Sequence, residues 1–229
     1  KIKKKNDKKL YHFIFRGRYG GTNEYMHFTS MLIKDISGKK QMCYETFDHI
    51  HSENKDKIIE DMRRLKNVEY YKKYGLKRKK GYLFYGYPGC GKTYMVMAMA
   101  NHDDRHIIEI PMSRVKTNGD IEDILSLTSI HSINFKKDQI ILLFDEIDTG
   151  LTVENSGDEK DPKEKTKSIL ELLASAKDKV ELKKEDALNI GTVLSRFDGI
   201  GVYDGLIIIA TTNNKNKLNP PAMYRHGRL

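Results

Sequence analysis

Eight consecutive residues carry the clearest chemistry in the chain: Gly86-Tyr87-Pro88-Gly89-Cys90-Gly91-Lys92-Thr93. They read G-x-x-x-x-G-K-[ST], a loop built to cradle phosphate. The glycines let the backbone approach phosphate oxygens and turn several N–H groups inward. A helix starting behind the loop adds partial positive charge at the same place. Lys92 can reach the β- and γ-phosphates of a nucleotide, and the Thr93 hydroxyl can ligate Mg²⁺. Tyr94 completes the stretch expected to hold the nucleotide, and Cys90 is expected to be an exposed, reactive thiol within it.

Two further groups of residues fit that chemistry. Asp145-Glu146-Ile147-Asp148 follows directly on the apolar run Ile140-Ile141-Leu142-Leu143-Phe144. Acids in this position stand at the carboxyl end of a buried strand, where ligands bind in open α/β sheets. Asp145 can hold Mg²⁺ through water, and Glu146 is placed to polarise an attacking water. The second group is Leu206 to Asn213, an apolar strand with a polar tip, whose Asn213 amide can reach a γ-phosphate or the water beside it. The chain closes on Tyr224-Arg225-His226-Gly227-Arg228-Leu229.

The elements that must position these residues are legible in outline. Tyr82-Leu83-Phe84-Tyr85 reads as a strand entering the loop, and Tyr94 to Ala100, free of Gly and Pro, as a helix leaving it. His106 to Pro111 reads as another strand, and Asp120 to Leu127 as a short helix with Asp120 at its N-cap. Earlier, Tyr11 to Phe15 and Tyr25 to Thr29 read as strands of a small β-meander, with turns at Gly20 to Asn23 and Ser37 to Lys40. Asn54 to Tyr74 reads as one helix with Ile58, Ile59, Met62 and Leu65 on one face, ended by Gly75. Asn155 to Asp186 is polar and charged, expected as a mobile insertion with no assignable chemistry, with helices at Ser168 to Ala176 and then Ile190 to Phe197. His49 and His51 join no metal-ligand set and are expected on the surface or packed. His102 and His106 are spaced for one helix face, lack an acidic partner and stay unassigned.

Bulk properties set the frame. A length of 229 residues allows one large domain, or a domain with a small appendage. With 32% charged and 38% hydrophobic residues the composition suits a soluble globular protein. No apolar run approaches the roughly 20 residues of a membrane helix. The start at Lys1 and the absence of a signal-peptide pattern lead us to expect a piece of a longer protein. The net charge of +9 is concentrated in Lys1 to Lys9 and Lys72 to Lys80. Such runs are explained by solvated faces at least as well as by a nucleic-acid patch. Cys43 and Cys90 make no disulfide or metal framework, which fits a reducing intracellular compartment; with no membrane helix in this stretch, a cytoplasmic location is expected in preference to a mitochondrial one.

Taken in order, the loop, the Asp-Glu pair, Thr211-Thr212-Asn213 and the terminal Arg-x-Gly-Arg resemble the AAA family of ATPases. The resemblance implies an α/β phosphate-loop fold: a three-layer parallel sheet with helices on both faces, here preceded by a β-rich segment, the family's helical lid lying beyond this chain. It implies ATP and Mg²⁺ as ligands, with Gly86 to Thr93 as Walker A, Asp145 and Glu146 as Walker B and Asn213 as sensor 1. Arg225 and Arg228 match the arginine fingers that complete a neighbouring subunit's site. A guanidinium there stabilises transition-state charge. Head-to-tail contacts of this kind generate rings, hexamers in this family. The expected division is 1–46, the end of an upstream domain, and 47–229, the large ATPase subdomain with a charged insertion at about 152–186.

Phe47-Asp48, Tyr70 to Gly86 and Leu188 to Ile200 further resemble the BCS-type AAA ATPases. These are mitochondrial inner-membrane chaperones that help place the Rieske iron–sulfur subunit into the cytochrome bc complex. That implies a chaperone acting on a protein substrate. Tyr87, Cys90 and His226 depart from the family pattern without removing a catalytic group. Pro111 to Gly119 lacks the aromatic pore-loop residue of threading motors, so threading is not inferred, and without a membrane helix the mitochondrial role does not carry over. Other readings are a GTPase, a nucleic-acid loader or helicase-like enzyme, and an ATP-binding scaffold. Asn214-Lys215-Asn216-Lys217 has Lys217 where a guanine-reading motif needs Asp, which favours adenine. Glu146, Asn213 and both arginines argue against a scaffold.

Overall fold

The computed structural model describes residues 9–20, 25–35, 40–41, 44–149 and 204–214. In chain order the strands and helices are β1 (Lys9–Tyr19), β2 (Tyr25–Asp35), β3 (Lys40–Gln41), α1 (Lys55–Lys66), α2 (Val68–Tyr74), β4 (Lys79–Tyr85) and α3 (Lys92–Asp103). They continue with β5 (His106–Pro111), α4 (Asn118–Ser126), the two-residue strands β6 (Ser129–Ile130) and β7 (Ile133–Asn134), β8 (Ile140–Asp145) and β9 (Leu206–Thr212).

One sheet organises them, in the order β3-β2-β1-β5-β8-β9-β4. Strands β5, β8, β9 and β4 run parallel. Such strands are covered on both faces and read as continuous apolar runs. Six of the seven β9 residues are 0–1% exposed and the seventh, Ile208, is 2%. Alternation then sorts the side chains. Ile141, Leu143, Ile207 and Ile209 pack with α1 and α3 on one face. Leu142, Phe144, Ile208 and Ala210 pack with α4 on the other. Each buried Ile or Leu contributes on the order of 2 kcal/mol. The result is the expected α/β layering, with helices on both sides of a mostly parallel sheet.

The N-terminal strands join this same sheet. β1 pairs in parallel with β5, His12 against Ile107 and Ile14 against Glu109, while β2 returns antiparallel on β1 over its whole length. β1 feeds both cores, Leu10 on one face and Phe13 and Phe15 on the other. Pairing therefore runs across the 46/47 position at which the sequence placed a boundary. Both strands are 11 residues long, where aromatic clustering marked only Tyr11 to Phe15 in the first and the opening stretch Tyr25 to Thr29 in the second.

Three local expectations are corrected. The single helix from Asn54 to Tyr74 is two, because Asn67 leaves helical geometry at φ −82° and ψ 83° and its side chain accepts from the Tyr70 N–H, capping α2. The N-cap of α4 is Thr117, not Asp120. Thr117 is extended and its hydroxyl accepts from the Asp120 N–H at 3.1 Å, while the Asp120 carboxylate accepts from the Thr117 N–H at 3.1 Å. His102 and His106 share no helix: α3 stops at Asp103, Asp104 turns at φ 52°, and His106 opens β5. The charged insertion and the helices expected at 168–176 and 190–197 lie outside the described residues. No helix among the described residues is long and apolar enough to cross a membrane.

Candidate functional site

The loop connects the end of β4 to the start of α3, so its N–H groups and the helix N-terminus converge on one point. All three of its glycines are required by backbone geometry, Gly89 with φ 80°. Gly86 has φ 147°, and a Cβ on it would stand 2.9 Å from Cys90 Sγ. Gly91, the N-cap of α3, has φ 92°. No L side chain adopts these angles without strain. Lys92 folds back over the loop. Its ammonium donates to Gly86 O at 2.8 Å, to Tyr87 O at 3.1 Å and to Asn213 Oδ1 at 2.9 Å, with Cys90 Sγ 3.8 Å away.

Asn213 arrives from the strand next door. β9 lies between β4 and β8, with Thr212 opposite Tyr85 on one side and Ala210 opposite Phe144 on the other. The loop, the Asn213 tip and the acids at the end of β8 therefore meet at one edge of the sheet. Asp145 closes β8 with the same side-chain phase as Ile141 and Leu143, on the α3 face. Its Oδ1 accepts from the Thr211 hydroxyl at 2.6 Å. Glu146 is exposed and holds a left-handed backbone, φ 49°. For a residue with a Cβ this costs about 1–2 kcal/mol. Its N–H donates to Thr211 Oγ1 at 3.0 Å, and its C=O accepts from the Thr149 N–H and hydroxyl at 2.9 and 2.8 Å. Strain held by surrounding bonds in this way clusters at functional sites.

Thr93 is exposed on the first turn of α3, beside the loop. The Asp145 carboxylate and the Thr93 hydroxyl are hard oxygen donors, the chemistry Mg²⁺ selects when it shares its shell with phosphate and water. Among the described residues no group of three or more His, Cys, Asp or Glu could hold a metal unaided.

A groove of about 840 Å³ opens from Gly91 and Lys92 toward α1, lined by His49, Ile50, Tyr82, Phe84, Tyr94 and Met95 among others. The Tyr94 hydroxyl lies 3.4 Å from His49 Nδ1. Burial pushes the Tyr82 phenol well above its ordinary range, so it stays protonated. His49 is exposed, as the sequence leads one to expect, but its place beside the loop, and that of Ile50, is not legible there. About forty residues separate them from the loop, and no local pattern signals that they return beside it. Thr211, Thr212 and Asp148 carried no role of their own in the sequence either, yet Thr212 donates to Asp148 Oδ1 at 2.8 Å. Arg225 and Arg228 lie outside the described residues.

Comparison with known proteins agrees in one direction. The family model described as ATPase family associated with various cellular activities (AAA) matches residues 82–229. An AAA-ATPase of Arabidopsis thaliana is 34% identical over 206 residues, covering 84% of this chain and 39% of that protein. The Arabidopsis thaliana protein named AAA-ATPase ASD, mitochondrial, is 32% identical over 195 residues, 80% of this chain and 35% of its own length. Protein HYPER-SENSITIVITY-RELATED 4 of the same plant is 30% identical over 181 residues, 78% of this chain and 28% of its own. The chain thus spans between 28% and 39% of these relatives.

Proposed function

Because the chain belongs to the AAA family of ATPases, we propose that it binds ATP with Mg²⁺ and hydrolyses it, as the ATPase core of a ring-forming chaperone of the BCS type. One observation carries this reading: the phosphate loop, Asn213 and the Asp145-Glu146 pair occupy adjacent strand ends, with Lys92 hydrogen-bonded to Asn213 at 2.9 Å.

The residues divide the work by their chemistry. Loop N–H groups from Gly86 to Thr93 take the phosphates, and Lys92 exchanges its carbonyl partners for phosphate oxygens, a stronger charge-assisted pairing. Tyr94 and the groove beside His49 and Ile50 take the ribose and base. Thr93 and Asp145 would hold Mg²⁺, which would supply charge neutralisation at the phosphates. Glu146 accepts a proton from the water whose oxygen attacks the γ-phosphorus. The bond to the β-phosphate oxygen breaks, and ADP and phosphate leave. Asn213 orients the water or the γ-phosphate, and Arg225 or Arg228 of a neighbouring subunit stabilises the transition-state charge. The energy of turnover acts on a protein substrate.

Phosphate release is the test, with ATP and GTP compared and two inactive variants mixed. The expected result is Mg²⁺-dependent release from ATP in preference to GTP, lost in both Lys92→Ala and Arg228→Ala and partly regained when the two are combined. Release that is independent of protein concentration, with no rescue on mixing, contradicts the shared site. Absence of nucleotide binding contradicts the reading as a whole.

A further inference from the structure

β9 ends in two threonines that point to opposite faces of the sheet. Thr211 has the phase of Ile207 and Ile209, toward α3; Thr212 has the phase of Ile208 and Ala210, toward α4. They are 1% and 0% exposed. At such positions valine fills the same space, so the hydroxyls need a reason beyond packing, and each has two. Thr211 donates to Asp145 Oδ1 at 2.6 Å and accepts from the Glu146 N–H at 3.0 Å. Thr212 donates to Asp148 Oδ1 at 2.8 Å and accepts from the Asn214 N–H at 3.0 Å. The same device is used twice, once on each face: one hydroxyl joins a carboxylate of the acid turn to a backbone N–H.

We infer that Thr211 and Thr212 are positioning residues, Thr211 for the two acids and Thr212 for Asn213. The inference rests on the proposed roles of Asp145, Glu146 and Asn213. The bond from Thr211 to Oδ1 fixes the rotation of the Asp145 carboxylate, and with it the direction in which this residue would present oxygen to Mg²⁺ or its water. The same hydroxyl holds the Glu146 N–H, and with it the left-handed backbone that sets where the Glu146 side chain leaves the strand. Thr212 fixes the Asn214 N–H immediately after the strand, so that Asn213 is bent back to meet Lys92 at 2.9 Å. Partners of metal-ligating carboxylates typically change metal affinity or activity ten- to a hundredfold when lost.

The roles separate by measurement. ATP affinity is determined with Mg²⁺ and with EDTA, alongside kcat, KM and thermal unfolding, for Thr211→Val, Thr211→Ser and Thr212→Val. Thr211→Val is expected to bind ATP in EDTA like the parent, lose about tenfold or more of the Mg²⁺ enhancement and drop in kcat, with Thr211→Ser restoring both. Thr212→Val is expected to keep the Mg²⁺ enhancement and lower kcat. Should Thr211→Val not fold, Thr211→Cys, of similar size and a weaker donor, is expected to show a partial loss of that enhancement. Parental Mg²⁺ enhancement in the Val or Cys variant overturns the inference, as does a Ser variant no better than Val. A parent whose ATP affinity is indifferent to Mg²⁺ overturns the underlying reading of the site, and this inference with it.

Discussion

At the scale of residues, the site is held by bonds that a nucleotide must replace. Among the described residues Lys92 makes no ion pair with the acids across β9; its ammonium is engaged by Gly86 O, Tyr87 O and Asn213. Phosphate oxygens offer that ammonium a full negative charge in place of carbonyl dipoles, so ligand entry re-routes contacts that already exist. The loop geometry that allows this depends on Gly86, whose φ of 147° strains any L side chain and where a Cβ would press on Cys90 Sγ. Gly86→Ala is expected to weaken ATP binding roughly ten- to a hundredfold, the equivalent of about 1–3 kcal/mol of backbone strain. Titration with a fluorescent ATP analogue measures it. Removing the sulfur in Gly86→Ala/Cys90→Ala separates the two causes: affinity should stay low if the backbone angle dominates, and return if the contact does.

At the scale of elements, the hairpin and α4 are joined by one buried carboxylate. Asp120 accepts from the Thr117 and Lys116 N–H groups, and Arg18 of β1 donates to both Asp120 and Asp123. Burial works against the Asp120 charge, yet the Arg18 guanidinium and the two N–H groups outweigh it and hold the carboxyl below its usual range. A carboxyl depressed in the folded state stabilises the fold fully above its unfolded value, near 4, and that stability is lost as pH falls toward the folded value. Asp120→Ala is accordingly expected to cost about 2 kcal/mol at pH 7, with a smaller difference from the parent in urea unfolding near pH 3.5.

The same elements show what could be read beforehand. β8 and β9 were legible because a buried parallel strand is apolar throughout, and the loop because its chemistry fixes residue types at fixed spacing. The break at Asn67 and the cap at Thr117 turn on a single side chain finding a backbone N–H, which apolar periodicity does not register. The seating of β1 on β5 is a pairing across about 95 residues, and nothing local in Tyr11 to Phe15 distinguishes a strand of a meander from an edge of the central sheet. The groove beside His49 escaped for the same reason of distance along the chain.

At the scale of the molecule, the sheet order places the loop on β4 and the acids on β8, with β9 between them as the strand both must read. A change at the β9 tip therefore reaches Lys92 through Asn213 and Asp145 through Thr211 at once. In a ring of the proposed kind, arginines arriving from a neighbour would meet this already connected edge. The most direct test is the fate of ATP bound to Glu146→Gln, followed in a single turnover beside the parent. Loss of a general base lowers rates about 10²–10⁴-fold. This variant is expected to bind ATP with parental affinity and to retain the γ-phosphate while the parent releases it. Release by Glu146→Gln at the parental rate would contradict the role of Glu146 as base.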